Sequence, residues 1–152
     1  MRTMRRIIVV LACLLFGTTA LWAQKQEFKT FADKYADLEE FTVAELDKAT
    51  LRVASALADS DTRKMMRAVD LMIIVDYTGE ENVAFREDAY ALAEQLGYQM
   101  IREEFSEQGY MQGFSNEAMK VFVIYSQMPN SQNVTLLIGN ENFNENMFNS
   151  PK

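Results

Sequence analysis

The sequence contains no histidine, and its single cysteine, Cys13, lies in an apolar stretch near the N-terminus. A structural zinc site, a disulfide framework, a haem histidine and the nucleophile–histidine pairs of hydrolases all depend on these two residue types. Neither type occurs after residue 23, which excludes all four kinds of site from the remainder of the chain. The sequence therefore predicts no catalytic, cofactor-binding or metal-binding residues, and no cofactor.

Basic residues are also few. The chain has 15 lysines and arginines against 22 aspartates and glutamates, which gives a formal net charge of −7. A nucleic-acid-binding protein needs a basic face for phosphate contacts, so we predict that nucleic acid is not a partner. Only two prolines and six glycines occur in 152 residues, and no linker rich in either divides the chain. With 49% hydrophobic residues the sequence can form the core of one domain.

The N-terminus has the three parts of a secretory signal peptide. Three arginines between residues 2 and 6 precede the apolar run Ile7–Phe16, and the small residue Ala23 follows a looser stretch. A positive segment, an apolar segment and a small residue at the cut define such a leader. We therefore predict that residues 1–23 are a signal peptide and that residues 24–140 form a single α+β domain. The expected location is the periplasm or cell envelope of a Gram-negative bacterium.

Three alternatives to this cut remain. Cleavage after Ala20 is one, and an uncleaved membrane anchor is another, although residues 7–23 are short for a span. The third uses Cys13, because Val10–Cys13 loosely matches the box that precedes a lipidated bacterial cysteine. The apolar run continues past Cys13, which is unusual for a lipoprotein, so a lipid anchor there is not expected. After cleavage we expect no stable transmembrane segment.

The first two thirds of the mature chain has helical periodicity, with apolar residues three or four positions apart. A second helix, ending near Ala58, has two possible starts. Thr42 and Glu45 can form a capping box, or Thr42–Leu46 can be a strand with Asp47 as the helix cap. Asp61 can cap a short turn, and a later helix should end at Gly97. The three predicted stripes are Phe28/Phe31/Tyr35/Leu38, Ala49/Val53/Ala54/Leu57 and Phe85/Ala89/Leu92/Ala93/Leu96.

Strand signals dominate the rest, together with one earlier β-branched run, Val69–Tyr77, which should be a strand buried on both faces in its middle. The fold class that follows is α+β, an antiparallel β-sheet of about five strands with helices packed mainly on one face. Gly97 favours a strand after it over a continued helix. Residues 141–152 form an asparagine-rich tail whose Phe143 or Phe148 can pack on the sheet. The predicted strands are Val69–Tyr77, Tyr98–Phe105, Tyr110–Phe114, Met119–Ser126 and Asn133–Ile138.

The order of these elements resembles the bacterial exported family named domain of unknown function 4252. The resemblance covers about Phe28 to Phe143, and six segments carry it: Phe31–Tyr35, Glu45–Ala49, Asp70–Asp76, Gly97–Glu104 and the paired strands Met119–Ser126 and Asn133–Gly139. It implies a small exported protein, with strands at Thr42–Leu46 and at Tyr98. It supplies no catalytic residues, and this sequence departs from the family by lacking a clean lipidation box.

Carboxylates are the only abundant reactive groups. Asp59 and Asp61 could offer oxygen ligands to Ca²⁺, but no glycine turn or bidentate glutamate completes a calcium loop, so we expect a helix cap. Asp70 and Asp76 bracket an apolar strand, where we expect them to bind backbone amides or water. Adjacent glutamates diverge on a helix or a strand and make no paired acid–base site without a further residue. These pairs are Glu39-Glu40, Glu80-Glu81 and Glu103-Glu104.

Arg63, Lys64 and Arg67 form the only basic cluster after the predicted leader, which could receive an anionic partner or make salt bridges to nearby acids. Asn133 begins an N-glycosylation pattern, which we discount in a bacterial protein. The chain also has ten methionines, which we expect to fill the core.

We therefore expect a non-catalytic module that binds a protein or a small ligand, with an envelope protein as a possible partner. The uncharged run Tyr110–Phe114 is a candidate for strand addition if it lies at a sheet edge. Two alternatives remain open: an exported hydrolase that uses carboxylates from separate elements, and a carrier with an apolar pocket between helices and sheet.

Overall fold

The computed structural model describes residues 22–144. Most of the predicted leader, including Cys13, and the tail from residue 145, including Phe148, lie outside the described residues.

Six antiparallel strands form one sheet, one strand more than the sequence predicted, so the α+β class is confirmed. The order across the sheet is β1-β2-β6-β5-β4-β3, in which β3 to β6 form the expected meander. In chain order the elements are helix α1 (22–33), β1 (Phe41–Asp47), α2 (Lys48–Ser55), α3 (Ser60–Arg67), β2 (Val69–Thr78), α4 (Val83–Gln95), β3 (Gln99–Ser106), β4 (Gly109–Ser115), β5 (Val121–Met128) and β6 (Ser131–Gly139).

One face of the sheet carries the main core, against which α1 and α4 pack. Alternating residues of β2, among them Ile73 and Val75, are completely buried there. Phe85 of α4 lies at the centre of an aromatic cluster, with ring centroids 4.6 to 6.4 Å apart. The cluster comprises Phe31, Tyr35, Phe41, Tyr77 and Phe85. Such rings provide a large buried apolar area, which fixes α1 and α4 on this face.

The opposite face is only partly covered. The short helices α2 and α3 pack at one end of it, where Leu51, Phe122 and Leu137 are buried together. Toward the other end, side chains such as Ile74 and Ile124 remain half-buried. Strand β2 is therefore buried on one face and half-buried on the other, and our expectation of burial on both faces was wrong.

Local chemistry explains the helix boundaries. Asp47 caps α2 by accepting a hydrogen bond from the backbone N–H of Thr50 at 2.8 Å, and Asp59 does the same for Thr62 at 2.9 Å. Of the two possible starts of this helix, the one with Asp47 as the cap is therefore confirmed, and Thr42 lies on strand β1. Asp59 rather than Asp61 is the cap of α3. Gly97 follows α4 with φ +73°, a left-handed conformation that glycine adopts without steric cost.

Two predicted stripes were partly wrong. In α2 the buried residues are Leu51 and Ser55, whereas Val53 and Leu57 are 74% and 93% exposed. Leu51 faces the sheet because α2 follows β1 directly, and this tertiary constraint outweighs the apolar pattern. The helical part of the first stripe ends at residue 33, so Leu38 lies in a turn and is exposed.

The structure also decides the position of the proposed edge strand. Strand β4, which contains Tyr110–Phe114, pairs with β3 on one side and β5 on the other. It therefore has no free edge, and the condition for strand addition at Tyr110–Phe114 is not met. The edges of the sheet are β1 and β3.

Candidate functional site

A basic cleft

A cleft of about 1000 Å³ lies at one end of the sheet. At this end β2 begins, β6 ends and β5 begins, so Leu71, Ile138 and Val121 form an apolar floor. The walls come from the start of α1, the exposed face of α2, the end of α3, the loop between β4 and β5, and the turn after β6. Five separate stretches of the chain thus meet there.

Cations dominate the lining of this cleft. Five basic side chains contribute to it, against the two carboxylates Asp70 and Glu141. In a chain of net charge −7 this is a local reversal of sign. Because charges in a concave site add their fields, such a cleft attracts anions. The five basic residues are Lys25, Lys48, Arg52, Arg67 and Lys120.

The acidic residues only partly neutralise them. Lys48 Nζ lies 3.7 Å from Asp70 Oδ1, and both side chains are about half exposed, so this pair adds little to stability. Asp70 also accepts a hydrogen bond from Asn140 Nδ2 at 3.3 Å. Lys120 Nζ donates to the backbone carbonyl of Phe143, a neutral partner. Within residues 22–144 no carboxylate lies within 4 Å of the guanidinium groups of Arg52 and Arg67.

Position on the helices brings several of these groups to the same wall. Lys48 and Arg52 are four residues apart in α2, so their side chains lie on one face of that helix. Arg67 is the last residue of α3, and its backbone carbonyl accepts a hydrogen bond from Asn140 Nδ2 at 2.8 Å. That bond ties the turn after β6 to the end of α3 and closes one side of the cleft.

A further polar group is available at the cleft. The side-chain oxygen of Asn116 is buried, lines this site and has no hydrogen-bond partner within the described part of the chain. A buried amide without a partner costs free energy. Rotation of the amide exchanges its oxygen and its NH₂ group, so Asn116 can either accept a hydrogen bond from a ligand or donate one to it.

Positions of the predicted residues

Of the basic cluster expected from the sequence, only Arg67 lines the cleft. Arg63 donates to the backbone carbonyls of Ser55 at 3.1 Å and Ala58 at 3.0 Å and so stabilises the end of α2. Lys64 is exposed on α3. Lys25, Lys48, Arg52 and Lys120 were not among the functional residues expected from the sequence. The spacing of Lys48 and Arg52 was the only local signal for them.

The aspartates have distinct structural roles. Asp59 is the exposed cap of α3, and its hydrogen bonds with Thr62 lower the pKa of its carboxyl group. Asp61 lies in the first turn of the same helix. Asp70 belongs to the cleft, whereas Asp76 accepts a hydrogen bond from Asn133 Nδ2 at the other end of the same strand. The structure therefore does not bring these residues together.

The glutamate pairs are also separated. Glu81 forms an ion pair with Arg86 at 2.5 Å, and Glu104 forms one with Arg102. Glu103 accepts a hydrogen bond from Gln112 Nε2 at 2.8 Å on the opposite face of β3. Across residues 22–144 no three acidic, histidine or cysteine side chains are grouped so that they could hold a metal ion.

A hydroxyl–amide network

Tyrosine hydroxyl groups form a second polar feature, between α4 and the sheet. Tyr110 and Tyr125 hydroxyls each donate to Gln127 Oε1 at 2.9 Å, and Gln132 Nε2 donates to the Tyr125 hydroxyl at 2.6 Å. Burial raises the pKa of Tyr125 to about 12, and it also raises the pKa of Tyr90. The hydroxyl groups of Tyr90 and Tyr125 therefore stay protonated at neutral pH. A raised pKa makes a hydroxyl a poorer nucleophile, because a nucleophile is activated by a lowered pKa or by an adjacent base.

Comparison with known proteins

Comparison of the chain with protein-family models, curated proteins and solved structures finds no match. Among the described helices, none has the length and apolar character needed to cross a membrane.

Proposed function

We propose that this protein is an exported, non-catalytic binding module of the bacterial envelope that holds an anionic ligand in the basic cleft. One observation carries the proposal: five cations and two carboxylates line a single cleft of about 1000 Å³ on an acidic protein. Cations that repel one another around an open cleft gain free energy when an anion binds between them. The volume is at the upper end of the range for small-molecule sites.

The chemistry of the lining defines the ligand class. Arg52 and Arg67 can each bind a phosphate or carboxylate through two parallel hydrogen bonds, and the lysines add point charges. The floor of Leu71, Val121 and Ile138 suits an apolar portion of the same molecule. We therefore infer an amphipathic ligand that bears a phosphate or carboxylate group.

The position of the cleft supports this proposal over the carrier with an internal pocket. Between α4 and the sheet, the space that such a carrier would need is filled by the aromatic cluster around Phe85, which is 1% exposed. The hydrolase alternative has less support, because the described carboxylates are dispersed and the buried tyrosines ionise only at high pH. A binding role needs neither an activated nucleophile nor a general base.

Export belongs to the same proposal and follows from the leader. Cleavage after Ala23 would make Gln24 the first residue and would leave Lys25, Lys48, Arg52, Arg67 and Lys120 in the protein. It would also remove Trp22, an exposed side chain at the rim, and so would widen the cleft. N-terminal sequencing of protein from the envelope fraction tests the cut. An intact Met1, or a lipid on Cys13, would contradict it.

The binding proposal is tested by calorimetric titration with inorganic phosphate and hexyl phosphate. We expect hexyl phosphate to bind more tightly, because each buried CH₂ group adds about 0.8 kcal/mol. In the double variant Arg52→Gln/Arg67→Gln, the loss of two charge contacts of about 1 kcal/mol each should weaken binding roughly 30-fold. High salt should weaken the parent protein's binding as well, because the Debye length falls to about 3 Å at 1 M.

The matched control is Lys34→Gln/Lys64→Gln. It changes the net charge by the same amount at exposed positions that do not line the cleft. This variant should bind within about twofold of the parent protein, since distant exposed charges are screened. Equal weakening by both double variants would show that net charge alone attracts the anion. Failure of both probes to bind the parent protein would remove the proposed site.

A further inference from the structure

The first turn of α1 forms part of the rim of the basic cleft. Trp22 and Gln24 both line the cleft, so the backbone nitrogen of Gln24 lies at the rim between them. In the uncut chain this nitrogen belongs to a neutral peptide bond with Ala23. Signal cleavage hydrolyses that bond: water supplies the hydroxyl of a new carboxyl group on Ala23 and a proton to the nitrogen of Gln24. The α-amino group formed in this way is largely protonated at neutral pH.

Contacts with the rest of the fold hold Gln24 in this position. Its side-chain oxygen accepts a hydrogen bond from the Tyr98 hydroxyl at 2.9 Å, and Tyr98 is itself buried. The backbone N–H of Tyr98 donates to the carbonyl of Ala93 at 2.9 Å, which fixes the tyrosine beside the end of α4. One helical turn beyond Gln24, Phe28 is completely buried in the main core. These contacts involve no residue before Gln24, so they remain after the cut and keep the new amine at the rim.

The new amine changes the charge of the cleft. Among the described residues, the cut removes Trp22 from the lining and no charged side chain, so all five basic residues stay. Positive charges around one cavity repel each other until an anion binds between them, and a further cation there raises the affinity for an anion. Given the proposed export and anion site, on which this step rests, we propose that the α-ammonium group of Gln24, produced by signal cleavage, is a sixth cation of the basic cleft and contacts the anionic group of its ligand.

Glutamine at an N-terminus allows this one charge to be removed by chemistry. The α-amino nitrogen of Gln24 attacks the side-chain carbon Cδ, a bond forms between the two atoms, and the bond from Cδ to Nε2 breaks with release of ammonia. The product is a cyclic lactam whose nitrogen carries no positive charge. The lactam keeps the oxygen that accepts from Tyr98, and every lysine and arginine of the cleft is unchanged.

The experiment compares the open and the cyclised form of the mature protein. The full chain is expressed with its leader, and the exported product is purified and sequenced from its N-terminus. A product that begins at a residue other than Gln24 would overturn the inference. Glutaminyl cyclase then converts one half of the sample in mild urea, and both halves are returned to buffer together. Mass spectrometry measures the loss of ammonia, and circular dichroism checks that the two forms have the same fold.

Calorimetric titration with hexyl phosphate gives the affinity of each form. We expect the open form to bind about fivefold more tightly than the cyclised form, the effect of one charge contact. The matched control is Lys34→Gln in the open form, which removes one positive charge at an exposed position outside the cleft. It should change the affinity by less than about twofold, because distant exposed charges are screened.

The outcomes separate this inference from the proposed function. Binding of equal strength by the open and cyclised forms would overturn the role of the α-ammonium group and leave the anion site in place. Equal weakening by cyclisation and by Lys34→Gln would also overturn it, because net charge alone would then explain the loss. Failure of both forms to bind hexyl phosphate would remove the anion site itself, and with it the proposed function.

Discussion

Replacing Phe143 by alanine tests whether the turn after β6 is held by its aromatic ring. A buried phenylalanine removes about 150–250 Å² from water, which at about 25 cal/mol per Å² corresponds to about 4–6 kcal/mol. Phe143 is 4% exposed, so nearly all of this area is buried in the folded protein. Residues 140–144 can detach locally after the change, which limits the loss. We therefore expect Phe143→Ala to lower the free energy of unfolding by about 3 kcal/mol.

Urea denaturation followed by circular dichroism measures this loss. With a slope of about 1.5 kcal/mol per M, the midpoint should fall by about 2 M. Phe105→Ala is the matched control, because it removes the same ring from a position that is 70% exposed. It should change the free energy of unfolding by less than about 1 kcal/mol. Equal effects of the two variants would refute the reasoning, because only their burial distinguishes them.

Two further predictions concern the network between α4 and the sheet. Gln132→Ala removes hydrogen bonds to the backbone N–H and carbonyl of Asn82 and to the Tyr125 hydroxyl. Thermal or urea unfolding should therefore show that the free energy of unfolding falls by about 2–4 kcal/mol. An unchanged free energy of unfolding would show that water replaces the side chain. Stability should also fall as the pH rises from 10 to 12, because the unfolded tyrosines release protons near pH 10 while burial keeps Tyr125 protonated up to about pH 12. Below pH 10 the contribution of these tyrosines to stability is constant. The measurement is tyrosinate absorbance of the folded protein together with the urea midpoint at each pH. Ionisation of Tyr125 near pH 10 in the folded protein would contradict the prediction. The other tyrosines with a raised pKa are Tyr35, Tyr90 and Tyr98.

The strands were the most predictable part of the fold, because alternation along a strand is a local property. Tyr98–Phe105 followed a glycine suited to end a helix, and β3 occupies Gln99–Ser106. The sequence left the assignment of strand β1 undecided, because Thr42 and Glu45 also fit a capping box. In the folded protein both residues pair with β2, opposite Asp76 and Ile73. That pairing joins residues about 30 positions apart and leaves no mark on the local pattern.

The order of strands was not predictable from local signals. Tyr110–Phe114 has no charged residue, which is the pattern of an edge strand that accepts a partner. In the structure, however, β3 pairs with it and covers that edge. Strand β3 is the outer strand, and it contains Arg102, Glu103 and Glu104 within a stretch that also exposes Phe105. Charges in this position are a common means of preventing association at a sheet edge. The charge pattern therefore marks β3 as the edge, a signal that was not used when Tyr110–Phe114 was considered as a possible edge strand.

The basic cleft could not be found from the sequence for a related reason. Its cations lie between residues 25 and 120, and four of the five have an acidic residue within three positions along the chain, which hides the local charge. Only the convergence of the ends of β2, β5 and β6 brings them together. The clustered Arg63, Lys64 and Arg67 attracted notice because they are adjacent, yet two of the three lie outside the site.

The turn after β6 connects the basic cleft to the core on the second face of the sheet. Asn140 lines the basic cleft, where its side chain bonds to Asp70 and to the carbonyl of Arg67. Three residues later, Phe143 packs on Phe122 in the core cluster that also contains Leu51. Lys120 of the cleft donates to the carbonyl of Phe143, so one short segment contacts both the cleft and the core. Loss of the Phe143 ring would therefore loosen a wall of the cleft as well as the core.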